Sequence, residues 1–157
     1  MQFLDLICIA TITALTACGT AGAQTASAGV AAQTSAPAEA ATLTLTFTGI
    51  EAKRGTIMLA LYDEAGWSGG RPIRSEMLDA SAAVVGISIT GLPAGRYGVK
   101  AFHDINGNGK MDSNPFGMPT EPYAFSNDAK GQRGPASWSD AAFTVTAGGN
   151  AQTITIR

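Results

Sequence analysis

From residue 43 to residue 48 the chain alternates Leu43, Leu45 and Phe47 with Thr44, Thr46 and Thr48. A period of two puts the two sets on opposite faces of an extended strand, so one face is committed to a core and the other to water. The pattern recurs along the chain. After a Lys53-Arg54-Gly55 turn, residues 56–62 set Ile57, Leu59 and Leu61 opposite Met58, Ala60 and Tyr62. Both of these faces are apolar, as expected of a central strand covered on both sides. Residues 83–90 carry Val85, Ile87 and Ile89 in the same period, and residues 96–104 point Tyr97, Val99, Ala101 and His103 one way and Arg96, Lys100 and Phe102 the other. Two further strands are expected at 142–146 and 152–156, joined by a turn at 147–150. No window of comparable length carries a helical stripe; residues 68–82 are ambiguous, with one short helical turn expected around 76–80.

Between the third and fourth strands, Gly91-Leu92-Pro93-Ala94-Gly95 reads as a turn in which Pro93 presets one dihedral and Gly95 takes a positive φ. Many short strands with Gly- and Pro-rich turns imply an all-β fold, an antiparallel β-sandwich of Greek-key type, Ig-like or transthyretin-like. Residues 113–140 break the rhythm. They hold Phe116, Met118, Tyr123, Phe125 and Trp138 among Pro115, Pro119, Pro122 and Pro135. A segment this long and this apolar is expected to pack down as one long loop over a sheet face, covering Phe102.

The 157-residue chain accommodates one such domain, and its first forty residues do not belong to it. Residues 4–17 are apolar, too short to span a bilayer, and end in small residues, which reads as a secretory signal. Asp5 stands where a basic residue is usual. Leu15-Thr16-Ala17-Cys18 resembles a bacterial lipobox, with Cys18 as the lipidated residue; Ala21-Gly22-Ala23 offers ordinary cleavage before Gln24. The lipobox is the preferred exit. It implies an exported, periplasmic lipoprotein tethered to the outer membrane, touching the membrane only through that anchor. The expected layout is a signal peptide at 1–18, an Ala-, Thr- and Ser-rich disordered tether at 19–41 and the β-domain at 42–157.

Both cysteines, Cys8 and Cys18, lie in or beside the signal, so the domain has no disulfide, thiol nucleophile or thiolate ligand. Two of the 12 acidic residues, Asp5 and Glu39, precede the domain, and the other 10 balance its 10 Lys and Arg. Zero formal net charge leaves no electrostatic footprint for nucleic acid.

Where the fourth strand ends, Asp104-Ile105-Asn106-Gly107-Asn108-Gly109-Lys110-Met111-Asp112 spaces oxygen-bearing side chains as a calcium loop does. Asp104, Asn106, Asn108 and Asp112 fall at positions 1, 3, 5 and 9, Gly109 at position 6, and Lys110 at 7 would offer its carbonyl. Position 12 is Pro115 where a bidentate Glu is usual, and Glu121 is the candidate to fold back in its place. Such a set would hold calcium weakly, at about 0.1–1 mM. The competing reading is a turn built from Asn and Gly, whose tolerance of left-handed backbone serves the same sequence.

The segments Gly91-Leu92-Pro93-Ala94-Gly95-Arg96-Tyr97, the run from His103 to Asp112, Phe116-Gly117-Met118-Pro119-Thr120-Glu121 and Phe125-Ser126-Asn127 together resemble bacterial domain-of-unknown-function family 2141, over residues 43–157. The resemblance implies a small exported β-rich domain and supplies no catalytic residues. The first of these segments is also similar to a hairpin of transthyretin-like and carboxypeptidase-regulatory modules.

The function expected is therefore a non-catalytic binding or accessory module of the cell envelope, with calcium as its one candidate cofactor and an envelope protein or glycan as partner. Trp67 and Trp138, in small-residue loops, are candidates for stacking on such a ligand, or else plugs for the sandwich ends. The alternatives are an envelope hydrolase using His103, Asp104 and Glu121, and a purely structural domain. His103 and Asp104 are neighbours on one strand and point to opposite faces, which favours a histidine bonded to a loop at the end of a core row.

Overall fold

The computed structural model describes residues 40–132 and 134–157. The expected signal peptide, the expected lipidation site Cys18 and the expected tether up to residue 39 lie outside the described residues. Eight strands and two short helices follow in order: β1 Ala41–Thr48, β2 Thr56–Tyr62, α1 Glu64–Trp67, β3 Arg74–Asp79, β4 Val85–Leu92, β5 Gly95–Asp104, β6 Tyr123–Phe125, α2 Trp138–Ala141, β7 Phe143–Val145 and β8 Gly148–Thr155. They form two sheets, β4-β1-β8 and β3-β2-β5-β6, with β7 also paired to β5. The fold is an all-β sandwich. β1 starts at Ala41, a fully buried residue that the sequence had assigned to the tether.

The inward rows are those that the alternation marks. Leu43, Leu45 and Phe47 of β1 meet Ile57, Leu59 and Leu61 of β2 and Val99 and Ala101 of β5 in one buried core. Each large side chain removed from water this way contributes about 1.5–3 kcal/mol, which is what holds a cysteine-free domain together. β2 is central, between β3 and β5. Most pairs are antiparallel, but β1 and β8 run parallel from Ala41↔Gly148 to Thr48↔Thr155. Alternation carries no sign of strand direction, so a purely antiparallel expectation had no residue to contradict it.

Three local expectations are corrected. Residues 74–79 form β3, and the helical turn lies upstream at α1, where Asp63 caps by accepting from the Gly66 N–H at 2.7 Å. The strand is hard to read because outward Met77 is as apolar as inward Leu78, which erases the alternation. In the 91–95 turn, Gly91 takes the positive φ of 77° and Gly95 opens β5. β4 and β5 belong to different sheets, so this turn is a corner between sheets and no hairpin. Tyr97 fastens it by donating its hydroxyl to the Pro93 carbonyl at 2.8 Å, the logic of the tyrosine corner in other sandwiches. Lastly, β8 begins at Gly148, inside the expected 147–150 turn.

The 113–140 stretch also contains a strand, β6. Along β5, residues Gly95–Tyr97 pair with β7 and Lys100–Phe102 with β6, which leaves the Val99 N–H between partners. Fully buried Ser126 closes the gap: its Oγ accepts from Val99 N–H at 2.9 Å and donates to Ala141 O at 2.6 Å. Asn127 and Asp128 follow in left-handed backbone, φ 59° and 51°. That turn lets Asn127 bond the Asp140 and Ala142 carbonyls while Asp128 accepts from the Thr155 N–H and pairs with Arg157.

Candidate functional site

The 104–112 run leaves the end of β5 and bonds to itself. Asp104, 2% exposed, accepts backbone N–H bonds from Gly107, Asn108 and Gly109 at 2.7, 3.1 and 2.7 Å. Asn106 and Asn108 each turn their Oδ1 to the N–H two residues on, Asn108 and Lys110 respectively. Those bonds fix the amide orientation, so both Nδ2 groups face Asp112, at 2.6 and 2.9 Å from its two oxygens. Glu121 does fold back, as the spacing allowed, but its oxygens accept the backbone N–H groups of Ile105 and Asp112 at 3.0 and 3.1 Å.

In this arrangement the candidate ligand oxygens are engaged by N–H donors of the loop itself. Both oxygens of each aspartate are taken by N–H donors, and the space beside Asp112 is lined by two NH2 groups. Among the described residues no three His, Cys, Asp or Glu side chains gather as a metal site. The loop is a turn held by carboxylate-to-amide bonds. We therefore expect 10 mM calcium, against an EDTA control, to leave the melting temperature of the chain within about 1 °C; a 1 mM site would add about 1.4 kcal/mol and several degrees.

His103, 1% exposed, donates from Nε2 to the Arg54 carbonyl at 2.7 Å. His103, Asp104 and Glu121 are thus all buried and bonded to backbone, and no two of them bond each other through their side chains. Trp67 is buried, with its Nε1–H donated to the Ala136 carbonyl at 3.0 Å. Trp138 packs on it at a ring separation of 5.7 Å and carries Arg96 over its own ring. Both tryptophans sit over Gly98, where a Cβ would come within 2.8 and 3.0 Å of their rings. They pack over that end of the outer sheet face, Trp67 buried and Trp138 half-buried.

The unfilled part of that face is what sequence reasoning missed. Cross-strand register lines up Met77, Met58, Phe102 and Tyr123 as one outward row over β3, β2, β5 and β6. The next row is Ser75, Ala60, Lys100 and Phe125. The 111–119 part of the loop does reach this face, but it stands as a wall where a lid was expected. Between wall and sheet lies a groove of about 1130 Å3, lined among others by Met58, Met77, Phe102, Met111, Phe116 and Met118. Phe116 is 89% exposed, Met77 71% and Met118 63%. All four methionines after Met1 line this groove and none is in the main core. That was the legible signal: methionine at outward strand positions, in a domain whose core uses Leu, Ile, Val and Phe.

Lys100, in the row next to Met58 and Phe102, also lines the groove. Its Nζ donates to the Trp67 carbonyl at 2.6 Å and lies 4.5 Å from the Trp67 ring centre and 4.7 Å from that of Tyr62. Burial pushes its pKa below the ordinary lysine value.

The fold and this face define a small two-sheet β-sandwich with an apolar groove on the outside of its larger sheet. The model of the bacterial family described as "Uncharacterized protein conserved in bacteria (DUF2141)" matches residues 45–154, from β1 into β8, and the chain belongs to that family. No curated protein and no solved structure matches it.

Proposed function

We propose that the domain is a non-catalytic binding module of the bacterial envelope and that its ligand lies in the groove between the Met58–Phe102 row and the 111–119 wall. The observation that carries this reading is the continuous outward row Met77, Met58, Phe102 and Tyr123 facing an exposed Phe116 and Met118. Contiguous apolar surface of this kind is rare on monomers unless something binds there. Flexible, polarizable methionines suit a surface that must fit an apolar guest closely without a fixed shape. The envelope location rests on the N-terminal apolar stretch and the Leu15-Thr16-Ala17-Cys18 sequence.

Phe102 faces the groove, on the opposite side of β5 from the core residues Ala101 and His103. Phe102→Glu is therefore expected to weaken binding of the neutral apolar dye Nile red by at least about tenfold while shifting the melting temperature by no more than about 3 °C. Unchanged dye binding in a folded variant would remove the groove as the binding site.

A further inference from the structure

We propose that the groove takes a single-chain amphiphile with a carboxylate headgroup, its alkyl chain along the Met58 and Phe102 floor and its carboxylate on the Lys100 ammonium. The proposal rests on the groove being a ligand site, and it adds the headgroup. Among the described residues, Lys100 is the one basic side chain in the groove lining. Among the described residues it has no carboxylate partner: the one ion pair there is Arg157 with Asp128, and Glu76, the acidic residue of the lining, is not within ion-pair distance. One of its three N–H donors goes to the Trp67 carbonyl, and the rings of Tyr62 and Trp67 hold the ammonium in place.

An ammonium held beside an apolar trough is half of an ion pair. A partner that completes it brings one negative charge and an apolar tail on the same molecule, and a carboxylate amphiphile supplies both. A phosphomonoester would bring nearly two charges against one. The depressed Lys100 pKa has burial as its cause, so an anion beside the ammonium offsets a cost already present in the fold. Away from the groove, the neighbouring cation Arg96 is engaged over the Trp138 ring.

The test compares dodecanoate, dodecanol and dodecyltrimethylammonium, all below their micelle-forming concentrations, by calorimetry and by tryptophan fluorescence of the full chain. Dodecanoate is expected to bind at least about tenfold more tightly than dodecanol, and the cationic amphiphile more weakly than either. Lys100→Met is expected to bring dodecanoate down to the dodecanol level, and Lys100→Arg to keep the preference; circular dichroism and melting would show both variants folded. Equal binding of acid and alcohol by the wild type, or a preference that survives Lys100→Met, overturns the headgroup assignment and leaves the groove reading intact. Binding of none of the three overturns both. A dimer that is lost on Phe116→Ser, with no amphiphile bound, would assign the groove to a second copy of the chain and also overturn the proposal.

Discussion

Asp104→Ala is expected to cost about 3–5 kcal/mol of folding stability, read as a fall in the urea midpoint. The carboxylate is nearly inaccessible and accepts three backbone N–H groups, Gly107, Asn108 and Gly109. Hydrogen bonds to a charged group contribute about 1.5–3 kcal/mol each, and they are less than additive on one shared carboxylate. Removing it takes the side-chain acceptor from the Gly107 and Gly109 N–H groups where the loop leaves β5, while the Asn108 N–H keeps the Asn106 Oδ1. Asp104→Asn keeps the shape but one acceptor oxygen in place of two, and should fall between wild type and alanine. Amide exchange at Gly107 and Gly109 should accelerate in both variants. The loop also carries Met111, Phe116 and Met118, so Nile red binding should weaken alongside. A stability loss under about 1 kcal/mol would show that the turn stands without this carboxylate, and would reopen the cation reading of the same residues.

The second large effect is at Gly55, where alanine is expected to cost about 3 kcal/mol or more. Gly55 has φ +79°, and a Cβ there would lie 2.2 Å from the Asp104 carbonyl oxygen and 2.9 Å from the Ile105 Cα. Both obstacles are backbone, so no side chain can swing aside. The adjoining bonds, Ala80 N–H to Gly55 O at 3.1 Å and His103 Nε2 to Arg54 O at 2.7 Å, would be strained by the same displacement. Gly107 is the internal control: it too has a positive φ, but a Cβ there would meet nothing within 4 Å. Gly107→Ala should cost only the dihedral term, about 1 kcal/mol. Equal losses at the two glycines would mean that the close approach of Gly55 to Asp104 contributes nothing.

How far the chain could be read depended on how local each cause was. The inward rows of β1, β2 and β5 were legible because their alternation is written in consecutive residues. His103 at the end of a core row was legible for the same reason. Asp104, Asn106, Asn108 and Asp112 stand together in one loop, as their spacing implies, but spacing places oxygens and says nothing of which N–H groups they accept from. Glu121 was placed beside the loop by its position, and only the fold shows that it bonds to the amides of Ile105 and Asp112. Phe102 was marked as an oddity on a polar face and read as covered, because exposure of a neighbouring loop is not a sequence property.

By itself, then, the sequence determined the strand faces, the core residues, the neutral charge balance of the domain and the absence of thiol chemistry in it. Each of these follows from residue identity or from a period of two. The tertiary structure alone decided the sheet partners, the parallel β1 and β8 pair, and the meeting of Met77, Met58, Phe102 and Tyr123 in one row with Lys100 beside it. These residues are scattered from position 58 to position 123, and cross-strand register, a long-range property set by the packing of the whole sandwich, is what turns them into a groove.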